Sequence, residues 1–456
     1  MGVKESNVMR REAISITWPA FVELVMSTLF GMVDMIMVGK LSSAAIAAVG
    51  LTNQPFMLLL AIFSAVNVGT STLVAWNIGA GNKEKASFVA RQIVVINTIL
   101  GIIMSTVGLV FSRQIVIFMG AEADTIKDAT IYFQIVSAGL VFQAINLGIT
   151  AALRGAGETK IPMFYNIGSN LLNILGNYIL IYGKFGMPKM GVAGAALSTT
   201  ISRWAACFIA LGIVYFSNLS VISIERKGIF KFDVDIIKQV FSIGLPSAME
   251  QFVLQSGLML FARTVSGLGT VKFAAHQIGL NICGLTFSPS MAFGVAATTL
   301  VGQSLGAKDE EKAKKYADMI HHMAILVACI MGGVFILFSY QLALLYTDDI
   351  TVAAAASVIL KIMALAQPGQ STQLSVAGVL RGAGDTMYPL YASIFGIWIF
   401  RVFVAYIFVN VFHWGLIGAW VALVFDQYTR AAIVYFRYRS GKWRYAKIRT
   451  ADAVEM

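Results

Sequence analysis

Charge is what this chain has least of. Only 12% of its 456 residues are charged, against 58% hydrophobic, and a soluble surface cannot be covered with so few. With a mean hydropathy of +0.76, the chain is a membrane protein. Its apolar runs do not alternate over ten-residue segments, which excludes a lipid-facing β-barrel and leaves a backbone that satisfies itself within helices. Cysteine is scarce as well. Cys207, Cys283 and Cys329 sit inside apolar runs at no spacing that suits a disulfide or a metal, so they read as small core hydrophobes. Of the four histidines, the pair His321-His322 near a helix end has no ligand spacing to other His or Cys, and no metal site is expected. There is no glycine-rich nucleotide loop, no GxSxG and no HExxH, which argues against an ATPase or a membrane hydrolase and for a protein that is no enzyme and carries no cofactor. The first apolar stretch is too long for a signal peptide and lacks a small-residue cleavage site, so it should remain as the first span.

What is present is a duplication. LRGAGET at Leu153 to Thr159 recurs as LRGAGDT at Leu380 to Thr386, 227 residues later. Slid by that offset, Pro19 meets Pro246, Glu23 meets Glu250, Ile78-Gly79-Ala80 meets Leu305-Gly306-Ala307, Glu84-Lys85-Ala86 meets Glu311-Lys312-Ala313, and Pro162 meets Pro389. The chain is therefore read as a duplicated half of about 225 residues, with an N-terminal lobe at 1–225 and a C-terminal lobe at 226–456. In RGAG itself, the two glycines permit a tight reversal with positive φ, the following Thr caps the next helix, the Pro suits its first turn, and the arginine sits at headgroup level.

About 20 apolar residues cross the roughly 30 Å hydrocarbon core. Twelve such spans are expected: 14–39, 52–77, 88–112, 127–152, 161–183 and 191–217, then 238–264, 277–304, 315–340, 351–379, 388–411 and 415–438. Six per half gives both halves the same orientation. With residues 1–13 placed inside, about 23 of the 34 Lys and Arg fall on cytoplasmic loops and about 8 outside. Both termini are then cytoplasmic. The long charged connector Ser220 to Lys238 joins the halves there, and a basic tail with Arg437, Arg439, Lys442, Arg444, Lys447 and Arg449 either lies against anionic headgroups or is a solvated stop-transfer tail.

Ionisable groups inside spans are the informative exceptions, because each costs several kcal/mol unless paired or wetted. They are Glu23, Asp34, Arg203, Glu250, Arg401, Asp426 and Arg430. Asp426 and Arg430, four apart on one helix, read as a structural pair. Arg203 and Arg401 either snorkel or reach carbonyls. Glu23 and Glu250 each follow a proline by four residues in the first helix of their half, roughly 14 Å into the membrane. Each is either a protonated acid bonded to backbone left free by the proline or a cation- or proton-binding group. Asp34 lies three turns beyond Glu23 on nearly the same face, and its counterpart under the offset is Phe261. A residue that breaks the repeat is a better candidate for coupling than one that keeps it. A carboxyl in a low-dielectric cavity loads a proton near neutral pH or holds Na+ with nearby oxygens. Asn166, Asn170, Asn173 and Asn177 form a polar face on span five that supplies such oxygens or else bonds a neighbouring helix. Gln143 and Gln370 are symmetry mates ahead of the RGAG turns, and Gln251 and Gln255 lie beside Glu250. The 21 Met and 30 Phe could line a cavity that holds flat cations without strict shape demands.

WPAFVELVMSTLFGMVDMIMVGKLSSAAIAAVGL, the paired LRGAG[ED]T turns and LNILGNYILIYGKFGMPKMGVAGAALST closely resemble the multidrug and toxic compound extrusion (MATE) transporters, and the likeness runs through both halves. The stretch Asn173 to Pro188 is similar to the NorM branch. The resemblance implies an all-α membrane protein of twelve transmembrane helices in two pseudo-symmetric six-helix lobes forming a V, a central cavity open alternately to each side, and export of organic cations driven by Na+ or H+ entry. Carried over by residue, it implies a coupling-ion site at Asp34, Asn173 and Asn177. Glu250 lies one turn closer to its proline than the NorM glutamate, and Gln370 stands where NorM proteins with a second-lobe Na+ site carry an aspartate, which weakens such a site here.

The expectation is thus a secondary-active antiporter in a bacterial-type inner membrane, acting as a monomer among membrane lipids and binding no nucleic acid. Asp34 loads the coupling ion, the asparagines complete its shell, and Glu250, with Gln255, Gln143, Gln370 and Glu23, lines the substrate cavity. A lipid-linked saccharide flippase of the same superfamily would need a cationic cavity, and a receptor or scaffold without transport would not need polar residues in a duplicated frame. Both remain alternatives.

Overall fold

A computed structural model describes residues 3–121, 125–217, 219–224 and 232–446. Arg226, Lys227 and Lys231 of the connector and Lys447 and Arg449 of the basic tail lie outside the described residues. Every expected span corresponds to helix: α1 (Val3–Gly39), α2 (Ser43–Gly79), α3 (Lys83–Val110), α4 in two pieces bent by 47° (Ile126–Ala138 and Leu140–Gly155), α5 (Lys160–Tyr182), α6 (Gly191–Phe216), α7 (Val234–Ser266), α8 (Thr270–Gly306), α9 (Glu310–Leu344), α10 (Ile350–Gly382), α11 (Met387–Ser393 with π-helical continuations Ile394–Val404 and Ile407–Val411) and α12 (Gly415–Arg439). Among the described residues there is no strand. Among the described residues, counting bent α4 once, nine helices are long and apolar enough to cross a bilayer. The other three carry polar stripes: the asparagines of α5, Glu250, Gln251 and Gln255 on α7, and Asp426, Gln427 and Arg430 on α12.

The repeat is visible in the helix starts. Asn82 accepts from the Lys85 amide at 2.9 Å, and its mate Asp309 accepts from the Lys312 amide at the same distance, so each third helix of a half satisfies an orphan N–H in the same way.

The chain divides into two compact units, residues 22–241 and residues 242–456 together with the first 21. A cut near residue 225 therefore differs from the packing at both first helices. Met9, Ala13 and Ile16 of α1 are buried in one core with Ala297, Val301, Tyr316, Ala317 and Leu380, and Glu12 accepts a hydrogen bond from the Tyr316 hydroxyl. In the other unit, the start of α7 packs on α2, where a Cβ on Gly69 would lie 2.2 Å from the Val240 carbonyl oxygen. The changeover falls near the prolines inside these helices, Pro19 and Pro246. Further cores are Phe56, Phe63, Phe133 and Leu140 with their neighbours and a smaller one around Val38 and Ile181 in the first unit, and Phe261, Val265, Ile359 and Trp420 with theirs in the second. Cys207 and Cys283 are buried as small hydrophobes, but Cys329 is exposed, a correction to its reading as core.

Candidate ion and substrate site

The RGAG motif does more than turn the chain. Its second glycines, Gly157 (φ 89°) and Gly384 (φ 80°), supply the left-handed residue of the reversal. The first glycines have a different reason. A Cβ on Gly155 would sit 2.4 Å from the Ser71 carbonyl oxygen, and one on its mate Gly382 2.6 Å from that of Thr298, so α4 and α10 approach α2 and α8 backbone to backbone. Thr159 and Thr386 stand at the N-cap positions of the next helices, yet neither side chain makes a capping bond. The acids of the motif are tied down: Glu158 accepts from the Val221 amide at 2.8 Å, and Asp385 pairs with Arg437 at 2.6 Å.

The arginines correct the headgroup reading. Arg154 pairs with Glu23 at 2.9 Å, and Arg381 pairs with Glu250 at 2.7 Å. Asn166 donates to the other oxygen of Glu23 at 2.6 Å and in turn accepts from Asn146 at 3.1 Å. Its mate Ser393 donates to Glu250 at 3.3 Å. Both carboxylates are buried. Among the described residues each acid thus bonds side chains rather than backbone freed by its proline, and the Glu250 carboxylate, expected to line a substrate cavity, is engaged by Arg381 and Ser393. The signal lies in the repeat. Each arginine follows its glutamate by 131 residues, in both halves.

Asp34 stands differently. It is half-buried on α1 and accepts a hydrogen bond from the Asn177 amide nitrogen of α5, a neutral donor, and among the described residues it forms no ion pair. Asn177 is fully buried, and its own Oδ1 has no hydrogen-bond partner. One turn further, the Tyr182 hydroxyl donates to the Met37 carbonyl at 2.9 Å. Arg203 and Tyr132 lie near enough to act on Asp34 electrostatically, with the Arg203 guanidinium 4.7 Å above the Phe56 ring. Asn173 turns away from this group and donates to Thr199 at 3.2 Å and Ser198 at 3.4 Å on α6. The asparagine face of α5 is therefore split among α1, α4 and α6.

The second unit closes its remaining acid. Asp426, fully buried, pairs with Arg430 at 3.0 Å as its spacing predicts, and also with Arg401 at 2.5 Å, so Arg401 neither snorkels nor reaches a carbonyl alone. Arg401 comes from the π-helical part of α11, where a Cβ on Gly396 would meet both Asp426 and Arg430. Gln370 is 3% exposed with an unpartnered Nε2. Gln143 and Gln255 are half-buried, and among the described residues their side chains make no hydrogen bond. Among the described residues, Gln143 is not bonded to Glu23 or Asp34 of its own unit, and neither Gln255 nor Gln370 is bonded to Glu250 of theirs.

The duplicated frame has known counterparts. The MatE family model matches residues 19–179 and again 246–407, starting each time at the proline. The chain belongs to this family. A probable multidrug resistance protein NorM of Thermotoga maritima is 32% identical over 453 residues, covering 99% of this chain and 97% of that protein. The multidrug resistance protein PmpM of Pseudomonas aeruginosa is 29% identical, covering 85% of this chain and 81% of its own length. Among solved structures, an outward-facing multidrug resistance MATE family transporter of the MOP superfamily matches with a TM-score of 0.88 at 23% identity, covering 98% of this chain and 97% of that one. MatE proteins are membrane transporters and not enzymes.

Proposed function

We propose that this MatE protein is a secondary-active multidrug antiporter that exports organic cations in exchange for Na+ or H+. The observation that carries the reading is the difference between its intramembrane acids. Glu23, Glu250 and Asp426 each face a guanidinium, whereas the hydrogen-bond donor on Asp34 is an amide. A carboxylate matched by a fixed cation has nothing to gain from a second one, while a carboxylate held by a neutral donor still attracts a proton or a metal cation. Asp34 is the exchangeable group, Asn177 orients it and offers its free Oδ1 as a further oxygen, and Asn173 fixes the neighbouring α6 rather than the ion. Ion and substrate each favour a different facing state, and that differential affinity is all that coupling requires. Both termini face the cytoplasm, following the distribution of Lys and Arg.

The test is efflux of a fluorescent cation from proteoliposomes under an imposed Na+ gradient and then under an imposed pH gradient, with Asp34→Asn alongside. Flux under one gradient, lost in the variant, is expected and names the ion. Parent-like flux from Asp34→Asn would sink the assignment, and no flux under either gradient would point to a substrate that is not cationic.

A further inference from the structure

The part of α1 that carries Asp34 has little apolar packing to hold it. From Val22 to Met37, Glu23 is the one buried residue, and the polar fastenings are Glu23 to Arg154 and Asn166 at one end and Asp34 to Asn177 and Met37 to Tyr182 at the other, where Met37 also reaches the small apolar core of Val38 and Ile181. The rungs keep register. Asn166 follows Glu23 by 143 residues and Asn177 follows Asp34 by the same 143, so α1 and α5 run parallel and three turns on one helix match three turns on the other. In the second unit, α7 keeps only the first rung, Glu250 with Arg381 and Ser393. Phe261 and Val404, the counterparts of Asp34 and Asn177, belong instead to one apolar core.

We propose that Arg154 and Arg381 are positioning residues for transport, with Arg154 setting the register of α1 against α5 and thereby holding Asp34 against Asn177. Arg381 fixes α7 by the same contact, but no exchangeable carboxylate follows it along the helix. Chemically equal lesions in the two repeats therefore have unequal consequences. A support lost behind an ion ligand typically costs about 10–100-fold in ion affinity, and only the first unit has a ligand behind its support. The inference rests on Asp34 being the coupling-ion group.

The experiment compares two double variants, Glu23→Gln with Arg154→Gln and Glu250→Gln with Arg381→Gln. Both remove the pair whole, so that no uncompensated buried charge is left. Initial efflux rates are measured in proteoliposomes against the concentration of whichever ion drives the parent. The first double is expected to raise the half-saturating ion concentration about tenfold or more with the substrate KM unchanged. The second should lower the maximal rate and leave ion half-saturation where it was. Arg154→Lys, which keeps the charge but not the fork of donors, should fall between parent and double, and it carries the test if the double does not fold. Equal shifts from both doubles, or no shift from the first double or from Arg154→Lys, would overturn the positioning role. Transport by Asp34→Asn at parent level would overturn the coupling assignment itself, a separate reading from the same plate.

Discussion

Gly155→Ala adds one methyl group to a buried contact between backbones, and its effect follows from the distances. The new Cβ would lie 2.4 Å from the Ser71 oxygen and 3.0 Å from the Ser71 Cα, where a carbon and an oxygen ordinarily rest about 3.3–3.6 Å apart. No flexible side chain is among those atoms, so the second piece of α4 has to retreat from α2 by on the order of 1 Å, and a gap of that size forfeits about a quarter to a half of each contact's dispersion energy. Overpacking of this kind costs about 1–3 kcal/mol, and in a unit of this size each kcal/mol lowers Tm by about 2–4 °C. Gly382→Ala, against Thr298 at 2.6 Å, should do the same in the second unit. Gly168→Ala is the control: it lies exposed within α5 with nothing within 4 Å of its added Cβ, and should gain about 0.5–1 kcal/mol from the lost backbone freedom. Thermal denaturation in detergent, followed by circular dichroism, reads all three. A Gly155→Ala protein that melts at or above the parent would refute the close-approach account of the first RGAG glycine.

Two further outcomes follow from charges that do not bind the coupling ion. Asp426→Asn leaves Arg401 and Arg430 both buried without an anion between them, which should cost about 3–5 kcal/mol in the same melting assay; an unchanged Tm would show that the cluster holds another counter-charge. Asp349 caps α10 from an exposed loop, accepting from the Thr351 hydroxyl and from the Thr351 and Val352 amides, and these bonds, the hydroxyl first, hold its carboxyl below the ordinary 3.8. A depressed folded value makes the cap's contribution complete above 3.8 and lost as pH falls through the lower folded value. The Tm difference between parent and Asp349→Ala should accordingly be present at neutral pH and vanish in strong acid, and a difference that grew on acidification would contradict the capping geometry.

Much of the frame is legible because it is written twice. An offset of 227 sets the glutamates, the prolines and the RGAG turns at matching places in the two halves, and hydropathy alone locates the spans. The partners of the acids are less accessible. Periodicity puts Asn173 and Asn177 on one face of α5, but they are one turn apart and about 40° offset around the axis, enough to send one to α6 and the other to α1. The pairing of Glu23 with Arg154 is open to the equal 131-residue intervals, but a motif that already makes sense as a turn hides it. Nothing in composition signals that the first 21 residues pack with the second half, since an apolar face at 3.6-residue spacing does not say which neighbour covers it.

The proposed chemistry falls on the differences between the repeats, and one of these differences is charge-balanced. Where the first half has Thr199 and Ile174, the second has Asp426 and Arg401, an acid and a base gained together, and the acid closes on Arg430 as well. Arg430 is the mate of Arg203. In the first half no acid stands at the Asp426 position, so the carboxylate whose field reaches Arg203 is Asp34, across a distance with no direct bond. On the proposed assignment, a cation arriving at Asp34 meets an attractive carboxylate and an opposing guanidinium together. On that assignment the opposition favours release of the cation once the carrier has turned, whereas in the second half Asp426 engages both Arg401 and Arg430 and Phe261 stands where a carboxylate would be, which leaves that half no exchangeable acid of this kind.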